Sequence, residues 1–106
     1  MSPQGLLSAL RGWFPQFGDG ELLNEVETGE ANLHTVMREF SSFDFTSGTE
    51  RQLTGLAALL RECVAETDLL ENAVGTCFLE HLRQIDKRKA LWNVLPAEVQ
   101  AYVRAL

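Results

Sequence analysis

The chain has 106 residues, a formal net charge of −6 at pH 7 and a hydrophobic fraction of 45%. These values are typical of one folded domain over residues 1–106 rather than of a disordered chain. The negative charge argues against nucleic acid and anionic membranes as partners, because Lys and Arg supply most of the affinity for both. An acidic surface suits a basic protein partner, or it serves solubility alone.

The acidic residues are concentrated in the N-terminal half of the chain. Residues 19–50 contain eight acids and one base, Arg38, whereas residues 81–106 contain five bases and two acids. The basic run 87–89 (KRK) is a conceivable phosphate contact, but three bases on an acidic protein do not predict binding to nucleic acid.

The first half of the chain reads as three helices separated by breaks. Ser2 and Pro3 form a helix start, and Pro15 ends or kinks the helix that follows. Asp19 can cap a short helix over 21–27, with Gly29 as its left-handed C-terminal residue. A third helix is predicted over 31–43, and one or both of the loop aromatics at 43 and 45 should plug the core.

Residues 49–85 organise the rest of the chain as two antiparallel helices joined at 67–68. Thr49 and Gln52 fit a capping box, and Asp68 repeats the capping pattern for the second helix, which is predicted to run to residue 85. The small residues Ala73 and Gly75 would let a neighbouring helix approach closely. Residues 90–95 are expected to form about one turn with Trp92 in the core, before a last helix whose first residue is Pro96.

No segment shows the period-two alternation of a strand, and no hairpin turn lies between β-branched runs. The sequence therefore predicts an all-α fold, a compact bundle of five to six helices around a central antiparallel pair. That pair is similar to one HEAT-type hairpin, but no second copy follows, so a solenoid is not predicted.

Neither catalysis nor metal binding is indicated by the sequence. Cys63, Cys77 and His81 are three conceivable ligands that lack the paired spacing of a zinc site, so the cysteines are expected to be core fillers. Phosphate-binding and nucleophile-elbow motifs are missing, and the acids of residues 21–30 lie in a polar stretch without an apolar shell. We therefore expect no enzyme, no metal and no cofactor.

The first 14 residues lack the basic segment and continuous apolar run of a signal peptide. Apolar runs elsewhere fall far short of a membrane span. With only two cysteines, both within helical patterns, the sequence predicts a cytoplasmic protein.

Two segments carry a resemblance to a known family. Residues 71–82 (ENAVGTCFLEHL) are similar to an x-N-A-V-x-x-x-F-L-E-x-L pattern of small bacterial helical proteins, and residues 14–17 (FPQF), with the acids that follow, resemble the N-terminal part of that family. Its members resemble immunity proteins, which are small acidic cytoplasmic proteins that neutralise a cognate bacterial toxin. The resemblance implies a 1:1 complex with a basic toxin domain and no activity of the protein itself.

An acidic partner would be attracted to a basic toxin cleft and could occlude it. Phe45 is either an exposed aromatic anchor for the toxin or a loop residue folded into the core. The main alternative function is an adaptor or homo-oligomeric helical module without a toxin partner. The predicted partner-binding residues are Asp19, Glu21, Glu25, Glu27, Glu30, Asp44 and Phe45.

Overall fold

The computed structural model describes residues 1–66, 69–81 and 89–105, and most of these residues are helical. These ranges contain seven α-helices, two 3₁₀ helices and no strand. The 3₁₀ helices are Phe45–Ser47 and Leu79–His81. The α-helices are α1 (Pro3–Trp13), α2 (Gly20–Thr28), α3 (Leu33–Ser42), α4 (Glu50–Ala65), α5 (Leu69–Cys77), α6 (Lys89–Val94) and α7 (Ala97–Arg104).

The N-termini of the first four α-helices are capped by polar side chains. The Ser2 hydroxyl accepts a hydrogen bond from the Gly5 amide, and Thr49 forms the predicted capping box with Gln52. A second capping box, between Asn32 and Thr35, opens α3. Each side chain satisfies an amide that the helix leaves without a backbone partner, which explains why the chain starts helices at these points.

One apolar core joins the helices. Phe40 of α3 is fully buried and contacts five other phenylalanine rings, with centroid distances between 4.9 and 5.9 Å. Helix α5 packs against both α3 and α4, and α1 packs against the same two helices. The radius of gyration of 12.8 Å is close to the roughly 13 Å expected for a globular domain of this length. Helices α1, α3, α4 and α5 therefore pack together around this core.

The second helix of the predicted pair is shorter than the sequence pattern indicates. Helix α5 ends at Cys77, and a 3₁₀ helix follows one residue later. Near this end the Thr76 hydroxyl donates a hydrogen bond to the Asn72 carbonyl, and the Phe78 ring packs against Phe40 and Phe45. The aromatic packing of Phe78 coincides with the change from α-helix to 3₁₀ helix. The spacing of apolar residues alone does not distinguish these two helix types.

Two further expectations concern the C-terminal part. Residues 89–94 form a helix of their own, which is why the described residues contain seven α-helices instead of five to six. Trp92 is only partly buried, and the Arg104 guanidinium lies 5.5 Å from its ring centroid. Pro96 is the cap of α7 and not its first residue. The predicted Asp68 cap, the predicted helix over 82–85 and most of the basic run 87–89 lie outside the described residues.

The prediction that small residues in α5 allow close approach is confirmed. A Cβ atom on Gly75 would lie 2.7 Å from the Tyr102 hydroxyl of α7. Partial burial and the neighbouring Glu71 carboxylate, which also forms a hydrogen bond with Tyr102, raise the pKa of this phenol. Among the described residues, none of the helices is both long and apolar enough to cross a membrane.

Candidate protein-binding surface

Helix α2 positions the first two candidate carboxylates. Asp19 caps the helix, accepting a hydrogen bond of 2.8 Å from the Leu22 amide. Leu22 and Val26, each 5% exposed, turn one face of the helix toward the core. Glu21 and Glu25 are four residues apart, so they lie next to each other on the helix surface, beside that buried face.

Carboxylates from three consecutive segments converge on Glu25. Partial burial raises the pKa of Glu25 above its ordinary value, and the negative charge of Glu21, with a hydrogen bond between the two side chains, raises it further. The charges of Glu30, in the turn after α2, and Glu39, in α3, raise the pKa of Glu25 as well. We call Glu21, Glu25, Glu30 and Glu39 the acidic cluster.

The ion pairs recorded for the described residues lie elsewhere, between the amino terminus and Glu66 and between Arg61 and Glu98. A hydrogen bond between two carboxyl groups requires a proton on one of them, and proximity to like charges favours that proton. The cluster is therefore a place where an approaching cation gains electrostatic energy by relieving repulsion among the acids.

The acidic cluster contains only part of the predicted site. It includes the predicted residues Glu21, Glu25 and Glu30. It also includes Glu39, which is one of the acids of residues 19–50 but not one of the predicted partner-binding residues. Glu27 is exposed, but it lies two residues beyond Glu25, about 200° around α2 and thus on another face. Glu39 lies 14 residues from Glu25 in the chain and acts on it only through the fold, so no local sequence signal could have identified it.

Asp19 lies at the edge of the acidic surface. With Glu39 it lines a cleft of about 190 Å³, whose apolar part includes Phe17 and Phe43. Its carboxylate is engaged in capping α2, so the cap and the negative charge come from the same group. A substitution at this position therefore has to separate the two roles.

Asp44 lines a second cleft, of about 290 Å³, together with Phe14 and Phe43. The Asp44 carboxylate accepts hydrogen bonds from the hydroxyl groups of Thr46 (2.8 Å) and Ser47 (2.5 Å). It thus holds the loop that precedes α4, and Asp44 is not among the acids whose charges raise the pKa of Glu25. Phe43 is the residue common to both clefts.

The exposed-anchor prediction for Phe45 is wrong, and the alternative, a residue folded into the core, is what the structure has. Phe45 is 1% exposed, and its ring stacks on Phe40 at 5.4 Å and contacts Phe78 at 5.2 Å. Phe43 is only partly buried and lies between the two clefts. Phe43 is therefore the loop aromatic that an acidic binding surface can use.

A third, shallower cleft of about 580 Å³ lies between α1 and α4. Its floor is mainly apolar, because Trp13 of α1 packs directly on Gly55 of α4. Glu50 and Arg51 supply opposite charges at its border, so this cleft does not extend the acidic surface.

The two cysteines lie in different environments. Cys63 is fully buried, and burial together with Glu66 and Glu62 raises the pKa of its thiol to about 12. Cys77 is partly exposed and lies 3.3 Å from a nitrogen of His34. The His81 side chain lies outside the described part of the chain. Within that part, no three His, Cys, Asp or Glu side chains are grouped so that they could hold a metal ion.

We compared the chain with protein-family models, with curated proteins and with solved structures. None of the three comparisons found a match.

Proposed function

We propose that this protein binds a basic domain of a cognate bacterial toxin in the cytoplasm and neutralises it by forming a 1:1 complex. The observation that carries the proposal is the acidic cluster, in which carboxylates from α2, the turn after it and α3 lie close enough to act on Glu25. The resemblance of residues 71–82 to an immunity-protein pattern points to the same class of partner. The proposal includes no chemical step performed by the protein itself.

The acidic cluster would act mainly on the rate and specificity of association. Complementary charges attract partners at long range and raise association rates, by roughly 10- to 1,000-fold in strongly steered cases. Lys and Arg side chains of a toxin cleft would relieve the repulsion that raises the pKa of Glu25. The partner's substrate site would then be covered by the body of this protein.

Phe43 would supply the apolar part of the interface. It lies between the cleft of Asp19 and Glu39 and the cleft of Asp44, so its ring is flanked by carboxylates on both sides. Partly buried aromatic residues with a rigid surround are common centres of binding energy. The ring contacts with Phe14, Phe17 and Phe40 would keep Phe43 in place before the partner arrives.

The helices beneath this surface would act as a rigid support. In the proposal α4 and α5 form the antiparallel, HEAT-like hairpin that the sequence pattern predicts, and α3 rests on α5. Glu30 and Glu39 are connected to that support through α3. A support that does not rearrange keeps the ordering cost of binding low.

The experiment requires the partner, which the gene adjacent to the one for this protein should encode. Association rates of the toxin domain are measured by surface plasmon resonance over a series of salt concentrations. The double variant Glu21→Gln/Glu25→Gln is compared with Glu27→Gln/Glu62→Gln, which removes the same charge from exposed positions outside the cluster. We expect the cluster variant to lower the association rate about tenfold and to weaken its salt dependence, and the control to change it less than about twofold.

The outcomes separate the parts of the proposal. Equal losses in the two double variants would show that net charge matters and the acidic cluster does not. If Phe43→Ala leaves the dissociation rate unchanged, Phe43 is not part of the interface. A wild-type protein that binds no toxin domain and forms a stable dimer in light scattering would instead support the homo-oligomeric module.

A further inference from the structure

Three side chains with complementary chemistry meet between α3 and α5, outside the acidic cluster. The Cys77 sulfur lies 3.3 Å from His34 Nδ1, and the Asn72 amide nitrogen lies 3.5 Å from His34 Nε2. His34 is 43 residues from Cys77 and 38 from Asn72 in the chain, so the packing of α3 on α5 creates this group. A thiol, an imidazole and an amide in this order are the components of an activated cysteine.

The two nitrogens of His34 have different partners, which divides their roles. Nδ1 faces the thiol and is placed to exchange a proton with it. Nε2 faces the Asn72 amide, which restricts the rotation of the imidazole ring. In the structure the amide nitrogen of Asn72 faces Nε2. A flip of the amide by about 180° puts its oxygen there instead to accept from Nε2–H, and Nδ1 is then free to accept the proton of the thiol. The resulting imidazolium then donates a hydrogen bond to the thiolate and stabilises it.

Access separates this cysteine from the other one. Cys77 and His34 are both partly exposed, and Asn72 is exposed at the surface. Cys63 is 0% exposed and its thiol stays protonated at neutral pH. A reactive cysteine needs both access and a neighbouring group that can take its proton, and of the two cysteines only Cys77 is both partly exposed and in contact with an imidazole.

We propose that Cys77 is a nucleophilic modification site that His34 activates and Asn72 positions, and that it takes small-molecule disulfides. The Cys77 thiolate attacks one sulfur of the disulfide, forming a new S–S bond while the original S–S bond breaks. The departing thiolate takes up the proton that His34 removed from Cys77. Cys77 is oxidised to a mixed disulfide, and one half of the reagent is reduced to a free thiol.

The mixed disulfide should persist once formed. An internal thiolate could displace the small thiol, but Cys63 is the only other cysteine in the chain, and it is buried and protonated. Release therefore requires an external thiol. The attached group would lie at the contact between α3 and α5. The fraction of protein modified there would depend on the ratio of disulfide to free thiol in the surroundings.

The test uses glutathione disulfide as the probe, at neutral pH, with the rate followed by intact mass and the site by peptide mapping. The control for exposure is Cys77→Ser/Ala101→Cys, which places a thiol on the exposed surface of α7 without an imidazole partner known to contact it. We expect Cys77 to be modified about tenfold faster than this more exposed thiol, and Cys63 to stay unmodified while the protein is folded.

The roles of His34 and Asn72 need readouts that a change in packing would not produce. His34→Gln should lower the rate about tenfold, and free imidazole added to His34→Ala should restore part of it. Asn72→Leu should slow modification more than Asn72→Gln, which keeps an amide at this position. Thermal unfolding identifies variants that retain the fold, and only those are compared.

Three results would overturn the assignment. The first is a Cys77 rate no higher than that of the Ala101→Cys thiol. The second is a folded His34→Gln variant that reacts as fast as the wild type. The third is a His34→Ala variant whose rate does not increase when imidazole is added.

Discussion

Phe43 and Phe45 are two residues apart, yet one lies at the surface and the other in the core. The backbone leaves α3 in an extended conformation at Phe43 and enters a 3₁₀ turn at Phe45. That turn directs Phe45 between Phe40 and Phe78. Both residues are phenylalanine, so residue type alone could not predict which of them is accessible to a partner.

Gly55 is a second position whose role depends on one contact. A Cβ atom there would lie 2.3 Å from the ring atoms of Trp13, so α1 and α4 approach too closely for any side chain. The Gly55→Ala variant should therefore be destabilised by about 1–3 kcal/mol, although Ala favours the helix more than Gly does. Denaturant unfolding followed by tryptophan fluorescence measures the change.

Gly12 of α1 is the matched control for this variant. A Cβ atom at Gly12 would contact nothing within 4 Å, so Gly12→Ala should be neutral or stabilising by up to about 1 kcal/mol. Equal stability changes at the two glycines would contradict the close packing of Trp13 on Gly55.

At the scale of a helix, the capping residues decide where most elements begin. Thr49, Asp19 and Ser2 each accept a hydrogen bond from an amide three residues ahead, and the sequence identifies all three. The end of α5 is different, because Phe78 turns into the core where apolar spacing alone predicts more helix. Helix starts that depend on local hydrogen bonds can thus be predicted from the sequence. A helix end that coincides with tertiary packing, such as that of α5, cannot.

Helix α2 offers a test that separates capping from charge. Asp19→Ala removes the acceptor for the Leu22 amide and should cost about 1 kcal/mol of stability. Asp19→Asn keeps an acceptor, so it should lose much less stability while removing the same charge. Guanidinium unfolding of the two variants checks the difference.

If both variants are equally destabilised, the carboxylate charge at the N-terminus of α2 and not the hydrogen bond is responsible. With the Asn variant folded, any loss of toxin binding can be assigned to the missing negative charge of Asp19.

At the scale of the whole molecule, the acidic cluster should cost stability at neutral pH. Folding raises the pKa of Glu25, so the folded state binds its proton more strongly than the unfolded state does. Stability from this group therefore increases as pH falls through the raised pKa toward the ordinary value of 4.5, and it is lost above that range. In the proposed function, a basic partner relieves this repulsion when it binds.

The corresponding prediction concerns Glu25→Gln. At neutral pH this variant should have a higher Tm than the wild type, because it removes a charge that its neighbours repel. Its Tm should also change less on going to mildly acidic pH, and added salt should raise the wild-type Tm more than that of the variant. Thermal unfolding followed by circular dichroism across pH provides the measurement.

Glu27→Gln is the control on the same helix and should leave this pH dependence unchanged. A Glu25→Gln variant with a lower Tm than the wild type would show that Glu25 stabilises the fold, and that the cluster is held by cations or hydrogen bonds instead of being repulsive.

The all-helical class, the helix starts and the concentration of acids in residues 19–50 follow from the order of residues along the chain. The helix pattern and the helix starts depend on residues three or four positions apart, which are neighbours on a helix, and the charge distribution depends only on the composition of each segment. The approach of Glu39 to Glu25, the exposure of Phe43 and the meeting of His34 with Cys77 depend on how helices pack. Packing is decided by the shapes of whole surfaces that come from distant parts of the chain, so only the folded structure brought these groups together.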